Sequence, residues 1–355
     1  MKKILAICLC LLSFIFCFSS CLSSGISSDS LKELPDEVNI NYNNVGAAFW
    51  LTNDSICYLS SSLLQKYYLI DHNKKTSLGF NGGYGVGDIQ QYGNEVYMLN
   101  MVNNVDERNS TYEIKRYDVD SEKTTILCSI NNCRKFFVLN KTIYYSEYTI
   151  TDDDRILTLK TYSPELNKHE TVKESIISFG VTENSVFYLS EENGRIVISQ
   201  YNNNTKTSHA KGDFFLEQED IDRFKDFPSV TYAPNYLFFD ITNYETEESK
   251  TFKYSFASND LVPLQFDEHT SISLPIPYNA YSYFKIYNEN TNVTELYQMN
   301  NETNEILQLQ TIKGVCSLFV GSDNGVYVYE LDNCNINYFS NEPNSKPITV
   351  FRLFV

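Results

Sequence analysis

The chain has 355 residues, of which 42% are hydrophobic and 14% aromatic, and its formal net charge is −17 at pH 7. This apolar content is enough to build a folded core and excludes a largely disordered chain. The strongly acidic balance repels a phosphate backbone, so no nucleic acid is expected as a partner.

The N-terminal residues have the order of charged and apolar side chains that is typical of an export signal. Two lysines precede an apolar run over residues 4–18, which is too short for a comfortable membrane span. The run ends at Phe18, and the segment Phe-Ser-Ser-Cys that closes at Cys21 resembles a bacterial lipobox with Phe18 in place of the usual leucine. The resemblance implies a signal peptide over residues 1–20 and a lipid anchor on Cys21. An ordinary secretory signal is the alternative.

The segment after the leader divides into a tether and a domain. Residues 21–36, which begin with the cysteine to be lipidated, are rich in serine and suit a flexible tether. Residues 37–355 are expected to form a single domain. The predicted location is therefore extracytoplasmic, with the protein exported to the cell membrane or cell surface and held in the lipid bilayer through Cys21.

A short motif, a polar turn followed by an apolar and aromatic strand, recurs along the chain, and Glu183 to Leu189 is its clearest copy. The first apolar strand residue of each copy follows the previous one by 40 to 51 residues. These residues are Ile56, Val96, Ile143, Val186, Leu237, Tyr281 and Val326. A period in the mid-forties built from short strands is typical of a β-propeller with one four-stranded blade per repeat. The sequence predicts an all-β, seven-bladed β-propeller, with six or eight blades as alternatives.

The fourth repeat shows how one blade is divided into strands. Its four predicted strands are 176–181, 186–189, 195–201 and 207–210. The last two are joined by the polar turn 202–207, whose asparagines tolerate the left-handed backbone that such hairpins require.

The third repeat contains the tetrapeptide Tyr-Tyr-Ser-Glu over residues 144–147. This tetrapeptide and the surrounding turn-and-strand pattern resemble the YWTD-like propeller repeats of bacterial extracytoplasmic proteins, with tyrosine in place of tryptophan. The resemblance covers about residues 45–355 and implies a propeller domain of unassigned activity.

The predicted connections are uneven in length. In a propeller, the turns between second and third strands and the connections between blades lie on the same face. Nearly all long segments fall there, and long loops on a rigid scaffold commonly carry function. They are 100–111, 147–155, 241–250 and 286–293 between strands, and 79–87, 213–228 and 265–273 between blades.

The predicted site on this face combines carboxylates with tyrosines. The residues are Tyr84, Glu147, Tyr148, Asp152, Asp153, Asp154, Tyr244 and Glu247. Carboxylates supply hydrogen-bond acceptors and tyrosine rings supply flat apolar contact, which suits a protein partner, a cationic peptide or a glycan. The alternative is a solvated acidic surface that only keeps the protein soluble.

One long connection has helical periodicity. Within residues 214–225, the spacing of Leu216, Ile221 and Phe224 predicts one or two helical turns with these three side chains inward. Such a segment serves either as a lid or as packed filler.

The five cysteines in the repeats are Cys57, Cys128, Cys133, Cys316 and Cys334. Cys128 and Cys133 are the nearest pair for a disulfide, since export permits one. Buried free thiols are the favoured interpretation.

Motifs for catalysis and cofactor binding are absent from the sequence. The four histidines show no metal-ligand spacing, no nucleophile motif is present, and residues 152–154 do not have the spacing of a calcium loop. We therefore expect no metal or cofactor and favour a non-enzymatic binding or interaction scaffold. A glycan hydrolase or lyase with carboxylates at the mouth of the central channel is the alternative, because different blades can each supply one catalytic group.

Overall fold

The structure is a computed structural model. It describes residues 48–52, 55–59, 66–71, 74–81, 86–92, 95–104, 110–118, 120–150, 155–182, 185–226, 228–243, 246, 248–264, 273–278, 280–322, 325–330 and 335–352.

The described residues form seven antiparallel sheets, and each sheet is built from four consecutive strands. Sheet 1 contains β1 (Ala48–Thr52), β2 (Ser55–Leu59), β3 (Lys66–Asp71) and β4 (Lys74–Asn81). Sheet 2 contains β5 (Val86–Tyr92), β6 (Glu95–Asn104), β7 (Ser110–Asp118) and β8 (Lys123–Asn131). Sheet 3 contains β9 (Cys133–Leu139), β10 (Thr142–Ile150), β11 (Arg155–Ser163) and β12 (Lys168–Lys173). Sheet 4 contains β13 (Ile176–Val181), β14 (Val186–Glu192), β15 (Arg195–Asn202) and β16 (Thr207–Phe214).

The remaining three sheets follow the same order. Sheet 5 contains β17 (Ser229–Tyr232), β18 (Tyr236–Asn243), β19 (Glu248–Ser255) and β20 (Leu261–Leu264). Sheet 6 contains β21 (Ile276–Tyr278), β22 (Tyr281–Asn288), β23 (Val293–Asn300) and β24 (Ile306–Lys313). Sheet 7 contains β25 (Cys316–Ser322), β26 (Gly325–Glu330), β27 (Asn335–Ser340) and β28 (Ile348–Arg352). Helix α1 (Gln218–Asp226) lies between sheets 4 and 5 in sequence.

The all-β class and the four-stranded repeat are confirmed, and the strands predicted for the fourth repeat correspond to β13 through β16. The alternation of apolar and polar residues over 38–42 also predicts a strand, interpreted as an addition to the last sheet. These residues lie outside the described part of the chain. Sheet 7 takes its four strands from the C-terminal part of the chain.

The first strands of successive sheets lie beside one another. β5 contacts β9, β9 contacts β13, and the series continues through β17 and β21 to β25, which in turn contacts β1. Buried apolar clusters fill the spaces between sheets 2 and 3, 3 and 4, 4 and 5, 5 and 6, and 6 and 7. Because a sheet in the interior of this series is covered on both faces, its side chains are buried on both sides of the pleat.

A glycine permits one of these close sheet contacts. The ring of Tyr232 in sheet 5 lies directly on Gly180 in sheet 4, and a Cβ at Gly180 would come within 2.8 Å of the Tyr232 Cγ atom. Tyr232 is only 2% exposed, so the ring has little room to move away. The absence of a side chain at Gly180 therefore fixes how closely the inner strands of these sheets approach.

The turns between third and fourth strands share one backbone conformation in sheets 2 to 7. One residue in each of these turns is left-handed, with φ between 48° and 59°. These residues are Glu122, Asn167, Lys206, Asn259, Asn304 and Asn344. The left-handed conformation predicted for the polar turns is thus confirmed, although in the turn 202–207 it falls on Lys206 and not on an asparagine. Asparagine predominates in the set because its short side chain tolerates this conformation best.

Several predicted loops are shorter than the sequence suggested. The predicted loop 147–155 is largely strand, since β10 runs to Ile150 and β11 begins at Arg155. The loops predicted at 100–111, 241–250 and 286–293 are shortened in the same way by β6, β18 and β22. Backbone pairing with the following strand carries each hairpin beyond the apolar segment that marked it in sequence.

Cys128, Cys133 and Cys316 are buried free thiols, so the favoured interpretation is confirmed for these three. The side chain of Cys57 and residue Cys334 lie outside the described part of the chain. Across the ranges given above, no helix has the length and apolar character needed to span a bilayer.

Candidate functional site on the loop face

The loop face is the side of the molecule that carries the turns between second and third strands and the connections between sheets. Of the residues predicted to form a site there, Glu147 and Tyr148 are described, and both lie in strand β10 rather than in a loop. The others lie outside the described residues: Tyr84, Asp152, Asp153, Asp154, Tyr244 and Glu247. Cys21, the predicted lipidation site, also lies outside them.

Glu147 is held by an ion pair across the hairpin. Its Oε2 atom lies 2.9 Å from the Nζ atom of Lys160 in β11, and both side chains are about three-quarters buried. The pairing of β10 with β11 sets Tyr145 opposite Lys160, which brings the carboxylate and the ammonium onto the same face of sheet 3. Glu147 is therefore a fixed acceptor rather than a mobile surface charge.

A tyrosine and a histidine extend this cluster toward the outer strand. The hydroxyl of Tyr145 lies 2.9 Å from Nδ1 of His169, whose ring also packs on Tyr162 with centroids 4.6 Å apart. Burial, and then the ammonium of Lys160, lower the pKa of His169, while Glu147 acts in the opposite direction. His169 is therefore neutral at pH 7 and keeps hydrogen-bonding capacity for both donors and acceptors.

The backbone at Tyr148 is anchored by the connection between sheets 2 and 3. This connection is the single residue Asn132, which is left-handed with φ 49°. The Asn132 carbonyl accepts a hydrogen bond from the Tyr148 N–H at 3.1 Å, and its N–H donates to the Ser110 carbonyl at 2.8 Å. The Asn132 side chain accepts from the Ser110 N–H at 3.0 Å. Asn132 thus ties β7 of sheet 2 to β10 of sheet 3 at the predicted site.

Helix α1 covers the loop-face end of the space between sheets 4 and 5. Leu216, Ile221 and Phe224 are buried in the cluster shared by these sheets, as predicted from their spacing. The ammonium of Lys225 lies 2.9 Å from a carboxylate oxygen of Glu191 in β14, which connects the helix to sheet 4. The helix is therefore packed filler along its inner face, and the filler interpretation of this segment is confirmed.

Two other loop-face carboxylates, both in sheet 4, are also paired. Glu192 accepts from Lys173 at 3.2 Å, and Asp213 pairs with Arg195. In the described ranges, no three histidine, cysteine, aspartate or glutamate side chains converge closely enough to hold a metal ion. The paired carboxylates described here belong to sheets 3 and 4, and each has its own basic partner.

Asp240 differs from these paired acids. It lies in β18 opposite Thr251, and its Oδ1 atom is buried and has no hydrogen-bond partner among the described residues. Burial raises the pKa of Asp240 to about 6, and a hydrogen bond from Thr251 only partly opposes this shift. A carboxyl group with such a pKa changes charge just below neutral pH.

Sequence reasoning missed Lys160 and Asp240. Lys160 is thirteen residues from Glu147, and only the register of the β10–β11 hairpin joins them. Asp240 follows a strongly apolar run, Tyr236 to Phe239, and that run is the signal that could have marked it as a buried acid.

Comparison with known proteins defines the class of fold. The sequence matches no protein-family profile and no curated protein. Among solved structures, the tricorn protease is similar over 90% of this chain and 35% of its own, with a TM-score of 0.55 and 13% identity. The β-propeller domain of the Trilobed protease from Pyrococcus furiosus is similar over 88% of this chain and 97% of its own, with a TM-score of 0.54 and 11% identity.

A third similar structure is the uncomplexed acylaminoacyl peptidase from Pyrococcus horikoshii, over 88% of this chain and 54% of its own, with a TM-score of 0.54 and 9% identity. The chain thus spans about a third of the tricorn protease and about half of the acylaminoacyl peptidase. At these identities the likeness concerns the fold alone. The repeated four-stranded sheets and these similarities identify a β-propeller.

Proposed function

We propose that the protein is an exported lipoprotein, anchored in the membrane through Cys21, whose β-propeller binds a protein, cationic peptide or glycan on its loop face without catalysing a reaction. The observation that carries this proposal is the ion pairing of four described loop-face carboxylates in sheets 3 and 4, represented by Glu147 with Lys160 at 2.9 Å. Fixed acceptors on sheets 3 and 4, each paired with its own basic side chain, suit recognition over a broad surface, whereas hydrolysis of a glycan requires two carboxyl groups at one bond.

We further propose that the seven sheets are the blades of one seven-bladed ring of the YWTD-like kind. Support comes from the contacts between successive first strands, including that of β25 with β1. In this arrangement sheets 1 and 7 meet without exchanging a strand, so the ring is closed by side-chain packing. A ring of six blades would leave one of the seven sheets out, and a ring of eight blades would need one more sheet.

The binding proposal is tested with a glycan and peptide array probed with the purified mature chain. Tyr148→Ala is expected to raise the Kd for the retained ligand about tenfold, because a central aromatic contact is often worth more than about 1 kcal/mol. Glu147→Gln is expected to raise the Kd by a similar factor, because it removes a charged hydrogen-bond acceptor. Lys141→Ser is the matched control, since Lys141 lies in the turn at the other end of β10. An unchanged affinity in both loop-face variants would contradict the proposal, and cleavage of the bound ligand would favour the enzymatic alternative.

The anchor is tested separately by replacing Cys21 with alanine. A thioether-linked lipid cannot form without the sulfur, so the variant is expected to move from the membrane fraction to the soluble extracytoplasmic fraction. Quantification of both fractions by immunoblot, beside a Cys17→Ala control, measures the change. If the Cys21→Ala chain stays with the membrane in the same proportion, the anchor lies elsewhere.

One observation favours the alternative function, a glycan hydrolase or lyase. A carboxyl group whose pKa is raised to about 6, as burial does for Asp240, has the protonation behaviour of a general acid. This function would be supported if the wild type cleaves a glycan selected on the array, and if Asp240→Asn still binds that glycan but no longer cleaves it. Turnover that survives the substitution would remove Asp240 from consideration.

A further inference from the structure

Helix α1 belongs to an insertion that the propeller does not need for its connectivity. Sheets 2 and 3 are joined by Asn132 alone, and sheets 3 and 4 by residues 174–175. Sheets 6 and 7 are likewise joined by residues 314–315. The connection between sheets 4 and 5 instead extends over residues 215–228. Sheets 1 and 2 are joined by residues 82–85, and sheets 5 and 6 by residues 265–275. The connection that carries α1 is therefore longer than the other five, although one or two residues are enough to join neighbouring sheets at three of the junctions.

Packing explains only part of this insertion. Leu216, Ile221 and Phe224 are 6%, 1% and 1% exposed, and together they seal the space between the two sheets. Phe215, by contrast, is 57% exposed although both of its sequence neighbours are buried. An exposed phenylalanine contributes little to the stability of the isolated fold, and large aromatic side chains are common anchors in protein interfaces.

The surface around Phe215 is acidic. The carboxylates of the segment that are exposed or half-buried are Glu217, Glu219, Asp220, Asp222 and Asp226. Its two basic side chains are already engaged, since Arg223 binds Glu219 and Asp220, and Lys225 binds Glu191. Glu217 and Asp226 therefore add negative charge without a neighbouring cation from the segment, and the outer face of α1 has a net negative charge.

We propose that Phe215 and the acidic outer face of α1 form a docking surface for a cationic segment of a partner protein, with an apolar residue of that segment covering the Phe215 ring. This inference rests on the proposed function and specifies which part of the loop face binds and which partner chemistry it selects. Lysine or arginine side chains of the partner complement Glu217 and Asp226, which increases the association rate and fixes the orientation. Burial of the ring supplies the affinity that charge alone, screened by salt, does not.

The test uses the full mature chain in detergent and a short fluorescent peptide that alternates lysine and leucine. Binding is measured by fluorescence anisotropy at low and at high salt. Phe215→Ser is expected to raise the Kd about tenfold or more, because the aromatic anchor is lost. Phe215→Leu is expected to keep most of the affinity, since it retains an apolar contact. The double variant Glu217→Gln, Asp226→Asn is expected to weaken binding mainly at low salt.

Leu166→Ser is the matched control. Leu166 is 74% exposed but lies in the turn between β11 and β12, on the face opposite the loop face. An equal loss of affinity in Leu166→Ser and Phe215→Ser would mean that the peptide adheres to any exposed apolar side chain, and would overturn the inference. Thermal unfolding of each variant establishes that the fold is intact before binding is compared.

The outcome also distinguishes the inference from the proposed function. Weaker binding in Tyr148→Ala, with Phe215→Ser unchanged, would leave the loop face as the binding surface but exclude α1 as the docking position. If neither variant changes the Kd, both the inference and the loop-face proposal are wrong for cationic partners. The docking surface is supported if Phe215→Ser loses affinity for the peptide and Leu166→Ser keeps the affinity of the wild type.

Discussion

Replacing Asp240 with asparagine is expected to stabilise the protein at neutral pH and to have no such effect near pH 4. The Asp240 side chain is half-buried in β18 and its buried Oδ1 atom lacks a partner among the described residues, so its charged form is disfavoured in the folded state. Asparagine has nearly the same shape and carries no charge, and its carbonyl can still accept the hydrogen bond from Thr251. The substitution removes the cost of charging the buried group.

The sign of the pH dependence follows from the raised pKa. The folded protein binds the Asp240 proton more tightly, with a pKa of about 6, than the unfolded chain does, with a pKa near 3.8. The stabilisation from the protonated form is fully present below pH 3.8, is lost as the pH rises to 6, and stays absent above that. A difference of about two pKa units corresponds to about 3 kcal/mol, which is an upper limit because the side chain is partly exposed.

The measurement is urea-induced unfolding of the wild type and Asp240→Asn at pH 4 and pH 7.5. The free energy of unfolding of the variant, relative to the wild type, is expected to be about 1–2 kcal/mol higher at pH 7.5, after allowing for a buried amide N–H without an acceptor. Asp213→Asn, at an exposed ion pair, is the control and is expected to differ little from the wild type at both pH values. A difference between Asp240→Asn and the wild type that does not change with pH would show that Asp240 is not the titrating group.

Replacing Lys253 with alanine is expected to lower the free energy of unfolding by about 3 kcal/mol. Lys253 is 5% exposed in β19, where burial lowers the pKa of its ammonium group. The ammonium donates to the carbonyl of Asn301 and to Oδ1 of Asn304 at 2.6 Å, and it lies 5.2 Å from the centroid of the Tyr236 ring. Since Asn301 and Asn304 lie in the turn between β23 and β24 of sheet 6, this lysine joins sheet 5 to the next sheet. Alanine would leave both acceptors unpaired beside a cavity.

A second substitution separates packing from hydrogen bonding. Lys253→Met fills most of the lysine stem's volume but donates nothing, so a smaller loss of about 1–2 kcal/mol is expected. Lys250→Ala, at an exposed position of the same strand, should stay within about 0.5 kcal/mol of the wild type. Denaturant unfolding at pH 7 compares the three variants. The interpretation fails if Lys253→Ala is tolerated as well as Lys250→Ala.

The repeating architecture could be predicted because each repeat has the same local pattern of polar and apolar residues. The polar turn before Val186 and the apolar strand after it recur at a period set by the number of strands in a sheet. The helix around Ile221 and Phe224 was predictable for the same reason, since both side chains fall on one helical face.

The extent of the hairpins and the identity of the buried charges could not be predicted. Glu147 is polar and Tyr148 is amphipathic, so their local sequence fits the end of a strand as well as a loop. Backbone pairing with β11 makes them part of strand β10. Lys253 alternates with apolar residues in a way that suggests an exposed face. Because sheet 5 is covered on both sides, that face is an interface, and a single sequence does not reveal which neighbour covers it.

The construction of every described sheet from four consecutive strands makes the order of the sheets independent of where the chain begins. A circular permutant that opens the backbone at Asn132 or near Ser175, and links the end of β28 to the start of β1, would keep each four-stranded unit intact. The new peptide link joins a fourth strand to a first strand, the same step that Asn132 makes between β8 and β9, so a short linker suffices. If the last sheet instead took one strand from the N-terminal part of the chain, the strands of that sheet would not be consecutive, and the same permutation would disrupt it.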